Sequence, residues 1–185
     1  SDVIIICVPT PLDAYKIPDL SLIRSAMDAV IKFIRRDTLV VLESTTYPGT
    51  TQEEIIDRIT AHKKYRLGRN FFAGFSPERT DPGNKVHHLG NTPKIVGGAE
   101  QWSQRMLEVL YEKITTQVVP VSSPATAEIA KLLENIFRNV NIALINEFAL
   151  LCNRMKIDVW EVIAAAKTKP YGFMPFYPGP GLGGH

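Results

Sequence analysis

The chain has 185 residues, 45% of them hydrophobic and 22% charged, the proportions of an ordinary globular protein, and these exclude disordered, collagenous and low-complexity classes. Twenty-one Lys and Arg against nineteen Asp and Glu leave a net charge of +2, too weak a field to point to nucleic acid or a membrane surface. The longest purely apolar run, Val3–Val8, falls far short of the about 20 residues that span a bilayer, and Cys7 and Cys152 cannot make a disulfide framework, which favours a reducing, cytoplasmic setting.

The first element is the β-branched run of residues 2–8, which reads as a strand buried on both faces of a parallel sheet. Asp19-Leu20-Ser21 then opens a helix to about Arg35, with Leu22, Ile23, Ala26, Ala29, Val30 and Phe33 on one side. Residues 38–43 form a second buried strand. Pro48-Gly49 is a turn, and Thr50 followed by Glu53 is a capping-box signature for the next helix. Strands are expected at 70–75, 94–96 and 117–119, with a helix over about 100–113 between the last two. Strands alternating with helices define a parallel α/β sheet that binds ligands at the carboxyl ends of its strands.

At Ser122-Ser123-Pro124 the pattern changes. Serine as N-cap and proline at the first helical position open a long helix to about Met155. Its apolar residues Ile129, Leu133, Ile136, Val140, Leu144, Phe148 and Leu151 recur at helical spacing. A shorter helix over 158–166 follows. The last sixteen residues hold nine Gly or Pro and are loop. The domain boundary is placed near residue 122. There is no initiator Met and no signal peptide, and the chain runs from a strand to a Gly-Gly-His; it is expected to be part of a longer protein.

Gly179-Pro180-Gly181-Leu182-Gly183-Gly184 satisfies the G-x-G-x-x-G spacing, yet a dinucleotide fingerprint must leave a strand and open a helix. A segment that lays backbone amides against a ligand fits better. The strand ends are stronger candidates. Val8-Pro9-Thr10-Pro11, Ser44-Thr45-Thr46-Tyr47-Pro48-Gly49 and Phe75-Ser76-Pro77-Glu78-Arg79 deliver hydroxyl or charged groups to one edge of a sheet. Singly, each is ordinary turn chemistry; three in register point to a ligand. Glu78, directly after an apolar strand and a proline, is placed to act as a general base; an ion pair with Arg79 or a nearby lysine is the alternative.

On the long helix, Glu128, Lys131, Asn135, Arg138, Asn139 and Asn146 share an arc of about 100°. A solvated face accounts for Glu128 and Arg138. Asparagine is a poor helix-interior residue, so the presence of Asn135, Asn139, Asn141 and Asn146 suggests that some are held for contacts. Lys131 and Asn135 are i, i+4 neighbours, and an ammonium with an amide N–H at one oxygen makes an oxyanion site. Cys7, inside a strand, and Cys152, inside a helix, read as core residues rather than nucleophiles. His62, His87 and His88 have no metal-ligand spacing, and no metal site is expected.

With these residues in place, the chain resembles the UDP-glucose/GDP-mannose dehydrogenase family of NAD-dependent, four-electron nucleotide-sugar oxidoreductases. The matching segments are CVPTPL (7–12), ESTTYPGTT (43–51), SPERTDPGN (76–84), AEIAKLLENIFRNVNIALINE (127–147) and KPYGFMPFYPGPGLGGH (169–185). The SPER-DPGN form and the GPGLGGH ending resemble the branch that oxidises UDP-N-acetylglucosamine; UDP-N-acetylmannosamine and UDP-glucose are the alternative substrates. The resemblance implies the later part of a Rossmann-like NAD-binding domain over 1–122 and an all-α linking and dimerisation domain over 123–185. It also implies a phosphate loop before Ser1 and a catalytic cysteine just after His185.

Carried over residue by residue, the resemblance implies that Pro9, Thr10, Ser44, Thr45 and Glu78 contact NAD and that Thr45 helps to hold a catalytic water. Glu78 would be the base of the water-dependent step. Lys131 and Asn135 would steady an oxyanion. Arg79, Phe176, Tyr177, Gly179, Gly181 and Gly183 would touch the UDP-sugar. The implied chemistry is hydride loss from the C6 alcohol, capture of the aldehyde by the cysteine, a second hydride loss to a thioester, and hydrolysis to the uronate. A second acid found in relatives with SPEFLREG is replaced here by Pro82, with Asp81 one residue earlier. The implied partners are a UDP-sugar and a second copy of the protein through the long helix. Two other readings remain open: a two-electron β-hydroxyacid or 6-phosphogluconate-type dehydrogenase, which lacks a GPGLGGH-Cys element, and a non-catalytic nucleotide-binding or assembly protein.

Overall fold

The computed structural model describes residues 1–79 and 85–180. It divides into two compact units, Ser1–Leu132 and Leu133–His185. The first unit holds five strands, β1 (Val3–Ile6), β2 (Thr38–Leu42), β3 (Phe71–Phe75), β4 (Lys94–Gly98) and β5 (Val118–Val121), side by side in that order. Around them lie α1 (Ser21–Phe33), α2 and α3 (Gln101–Tyr111). Helix α2 starts as a π-wound stretch, Thr51–Asp57, and continues as an α-helical turn, Arg58–Thr60.

Strands β1, β2 and β3 are mutually parallel, as are β4 and β5. The expected all-parallel sheet fails at one pair: β3 and β4 are antiparallel, with Gly74 opposite Gly98 and Phe75 opposite Gly97. A crossover to a parallel neighbour ordinarily takes a helix, and the described residues between β3 and β4 form none. The reversal has a consequence at the site: it brings the start of β4, not its end, to the edge where β2 and β3 finish.

Alternate residues of β2 serve opposite faces. Val40 and Leu42 pack in a cluster with Ile23 and Met27 of α1, Ile55 and Ile59 of α2 and Phe75 of β3. Leu39 and Val41 pack with Leu107 and Tyr111 of α3. Both faces are covered, so β2, β3 and β4 are buried along their whole length. The first strand differs from expectation. It is an edge strand, and Ile5 is 41% exposed. Cys7 lies beyond it and is exposed, which overturns its placement in the core; Cys152 is buried. On β4, a side chain at Gly97 would collide with the Ser123 carbonyl and one at Gly98 with the Gln104 backbone. Only glycine lets the Ser123–Pro124 backbone and the start of α3 approach this closely.

Helix α4 runs from Pro124 to Met155 as one element, and Ser123 caps it by accepting the Thr126 N–H at 3.1 Å. In the second unit, Ile142, Cys152 and Ile163 of α5 (Val159–Lys167) are buried, whereas Leu133, Ile136, Val140, Leu144 and Leu151 are exposed. Asp158 caps α5 through the Trp160 N–H at 2.9 Å. No helix among the described residues is long and apolar enough to cross a membrane.

Candidate functional site

The carboxyl ends of β1 and β2 are tied together by hydroxyls. Thr10 Oγ1 donates to the Thr45 carbonyl at 2.7 Å, and the buried Ser44 Oγ donates to the Val8 carbonyl at 2.7 Å. These bonds lock the 8–10 turn against the 44–46 turn, so Pro9, Thr10, Ser44 and Thr45 sit beside one another at the edge. Thr46 is also buried, and its Oγ1 has no hydrogen-bond partner among the described residues.

At the ends of β2 and β3 the edge carries charge. Glu43 follows β2, and Glu78 lies three residues past β3. The antiparallel register, continued past Phe75, sets Glu78 opposite Lys94. Lys94 is 3% exposed. Its Nζ lies 3.1 Å from Glu43 Oε2 and 3.7 Å from Glu78 Oε2, and 5.2 Å from the centre of the Tyr111 ring. Despite these ion pairs it is not in line for a hydrogen bond to any described group. The Tyr111 hydroxyl donates a short hydrogen bond to Glu43 Oε1. Burial first, and the Glu43 charge second, push the Tyr111 hydroxyl well above the ordinary tyrosine range, so it remains a donor at neutral pH.

Of the two readings of Glu78, general base or ion pair, the structure shows the ion pair, with Lys94 rather than Arg79. The Glu78 side chain is 47% exposed, so the two readings are compatible. Arg79 donates from Nη1 to the Pro93 carbonyl at 2.7 Å, which fixes the approach to β4. Sequence reasoning missed Glu43, Lys94 and Tyr111. A signal was present: Lys94 opens a strand otherwise made of Ile-Val-Gly-Gly, and a lysine inside an apolar strand needs a partner.

Glu128 corrects another expectation. It is 1% exposed, not part of a solvated face. Its carboxylate accepts the Gly49 N–H at 2.6 Å, the Thr51 N–H at 2.9 Å and the Thr51 hydroxyl at 2.6 Å. It thereby caps α2 from a helix distant in sequence. The capping box does not form: Thr50 Oγ1 donates to the Tyr47 carbonyl, and Glu53 accepts the Tyr47 hydroxyl at 2.7 Å. Gly49 has φ 103°, a conformation glycine adopts without strain, and this aims its N–H at Glu128.

Lys131, one turn beyond Glu128 on α4, is half-buried. In the second unit Asn135 is also half-buried, and its Oδ1 accepts from Arg138 Nη2 at 3.2 Å. This leaves the amide nitrogen as the donating end. Two other asparagines also make contacts. Asn141 donates to the Phe137 carbonyl at 2.7 Å, while Asn146 makes a reciprocal pair with Gly179, donating to its carbonyl at 2.7 Å and accepting its N–H at 2.9 Å. The segment before Gly179 is held by rings: Phe176 meets Phe137 edge to face at 5.6 Å, and Tyr177 stacks on Trp160 at 6.1 Å. Gly181, Gly183, His185, Asp81 and Pro82 lie outside the described residues.

A sheet covered on both faces, with hydroxyl and charged groups along the carboxyl ends of its parallel strands, defines a nucleotide-cofactor-binding α/β unit of the doubly wound class. Residues 1–115 match the NAD binding domain of the UDP-glucose/GDP-mannose dehydrogenase family, and residues 125–185 match its central domain. The chain belongs to that family. It is 42% identical over 185 residues to the UDP-N-acetyl-D-glucosamine 6-dehydrogenase of Pseudomonas aeruginosa, covering 100% of this chain and 43% of that protein. It is 39% identical over 187 residues to the UDP-N-acetyl-D-mannosamine dehydrogenase of Pyrococcus horikoshii, covering 100% and 44%. A solved UDP-D-ManNAc dehydrogenase structure from Pyrococcus horikoshii superposes with a TM-score of 0.89 at 38% identity, covering 97% of this chain and 42% of that one. The chain thus spans less than half the length of the curated relatives it matches.

Proposed function

We propose that the protein carrying this chain oxidises a UDP-N-acetylhexosamine, in the first instance UDP-N-acetylglucosamine, at C6 to the uronate with two equivalents of NAD, as a cytoplasmic homodimer paired through α4 that supplies polysaccharide precursors. Residues 1–122 serve as the later part of the NAD-binding domain and 123–185 as the central domain. The observation that carries the reading is Glu78: a half-exposed carboxylate at the carboxyl edge of the sheet, in a chain whose two parts match both domains of the family.

The residues on the β1–β2 side fit NAD. They offer hydroxyls and backbone groups, a donor and acceptor set suited to a neutral nicotinamide amide and ribose hydroxyls. Pro9, Thr10, Ser44, Thr45 and Glu78 would border it, and when bound it supplies the hydride acceptor. Glu78 takes a proton from the water that attacks the acyl group on the family's cysteine, and Thr45 holds that water. The Lys131 ammonium and the Asn135 amide donate to oxygen as it becomes negative. Arg79, Phe176, Tyr177, Gly179, Gly181 and Gly183 contact the nucleotide sugar.

The test is NADH formation by the full-length protein with limiting UDP-N-acetylglucosamine, UDP-N-acetylmannosamine or UDP-glucose. Two NADH per UDP-N-acetylglucosamine, with the others slow, is the expected result. Preference for another of the three would reassign the substrate, and one NADH per sugar, or none with any, would overturn the four-electron reading. Lys131→Ala should lower turnover by about 10²–10³, the cost of one oxyanion donor, with UDP-sugar binding retained. Unchanged turnover would remove Lys131 from that role.

A further inference from the structure

We propose that Lys94 is a positioning residue for Glu78: a fixed cation, held by Glu43 and Tyr111, that sets the direction in which the Glu78 carboxylate faces. The proposal rests on the reading of Glu78 as the base of the water-dependent step. A catalytic carboxylate needs its orientation locked by neighbours that are themselves locked. Lys94 meets that requirement. It is 3% exposed, its Nζ lies 5.2 Å from the Tyr111 ring centre, and Glu43 Oε2 is 3.1 Å from Nζ. Glu43 is in turn fixed by the Tyr111 hydroxyl. From this anchored position Nζ lies 3.7 Å from Glu78 Oε2.

A structural account explains less. Taking a lysine–glutamate pair out of water carries a desolvation penalty, and a well-packed apolar pair is often as stable or more so. Stability alone therefore gives no reason for an ion pair here. Nor does it explain why the cation also reaches a second, half-exposed carboxylate. The topology supplies the means. Because β4 runs antiparallel to β3, its first residue stands at the edge where β2 and β3 end, and only that reversal puts Lys94 between Glu43 and Glu78.

The experiment uses the full-length protein with the sugar that the NADH assay identifies, and hydroxylamine as a second nucleophile. Hydroxylamine attacks a thioester without a general base, so it bypasses a defect in water activation but not a disordered fold. Glu78→Gln should lower kcat by about 10²–10⁴. Lys94→Met should lower it by about tenfold, a part of that contribution, with KM for NAD and sugar within about twofold, and hydroxylamine should restore most of the loss in both variants. Since Lys94→Met leaves the largely shielded Glu43 without its counter-ion and can fail to fold, the double variant Lys94→Met/Glu43→Gln removes both charges of the pair and must show the same slow, hydroxylamine-relieved turnover. Glu78→Gln slow and relieved with the Lys94 variants fully active would overturn the proposal and leave the role of Glu78 intact. A slow double variant that hydroxylamine does not relieve would make Lys94 structural and overturn it too. A fully active Glu78→Gln would overturn the reading of Glu78 and this inference with it.

Discussion

The starts of α1 and α2 solve one problem in different ways. Each leaves backbone N–H groups without an intrahelical acceptor, and each supplies a carboxylate. At α1 the carboxylate is local and wet: Asp19 Oδ1 accepts the Ser21 N–H at 2.8 Å. At α2 it is remote and dry: Glu128 arrives from α4, 1% exposed, and takes two backbone N–H groups and a hydroxyl. The local cap orders one helix. The remote cap also fixes α4 against the 44–49 turn, and with it the turn on which Lys131 sits.

The comparison breaks most sharply at Glu128. Glu128→Ala strands two buried donors and one partly buried one, each costing about 1–3 kcal/mol when unpaired in the interior, with partial relief by water. The expected loss is about 2–4 kcal/mol in urea unfolding of the full-length protein. Glu128→Gln keeps an acceptor oxygen but sets an amide NH2 against amide donors, and it should lose about half as much. A loss below about 1 kcal/mol for the alanine variant would show that the remote cap stabilises no more than the local one. Asn146 separates distance from charge, since it too is a remote anchor, but neutral and half-buried. Asn146→Ala removes two neutral hydrogen bonds to Gly179 and should cost about 1 kcal/mol. Amide hydrogen exchange at Gly179 should speed up, and unchanged exchange there would show that the aromatic contacts of Phe176 and Tyr177 hold the segment unaided.

What the sequence made legible follows the same division between local and remote. The serine cap of α4 and the course of β2, β3 and α4 depend on neighbours a few residues away, and pattern alone located them. The hydroxyl-rich edge was legible too, because it needs only that β1, β2 and β3 run the same way. Glu128 was misread because its partners lie at the start of another helix, while along α4 it shares an arc with the polar Lys131, Asn135 and Arg138. The pair Thr50 and Glu53 carried a local signature that lost to the remote carboxylate. Lys94 and Glu43 were not found because their meeting depends on the reversal of β4, which helix–strand alternation does not encode. Cys7 was placed in the core by an apolar run that overshoots β1.

The local cap provides the smallest effect and the cleanest pH signature. The Asp19 carboxyl is held below the usual aspartate value, mainly by the Ser21 backbone N–H and then by the Ser21 side chain, with Arg24 adding a little. Its native proton affinity is therefore lower than in the unfolded chain. Its contribution is present in full above the unfolded aspartate value of about 3.9 and disappears as pH falls through the lower native value. Asp19→Ala should thus lower the Tm slightly at pH 7, the gap should narrow below about pH 4, and at lower pH the two curves should merge. Melting curves of the two proteins across that range test it. A gap that persists unchanged at the acid end would mean that Asp19 stabilises α1 through its backbone conformation rather than through its charge, and the contrast with Glu128 would then be one of geometry alone.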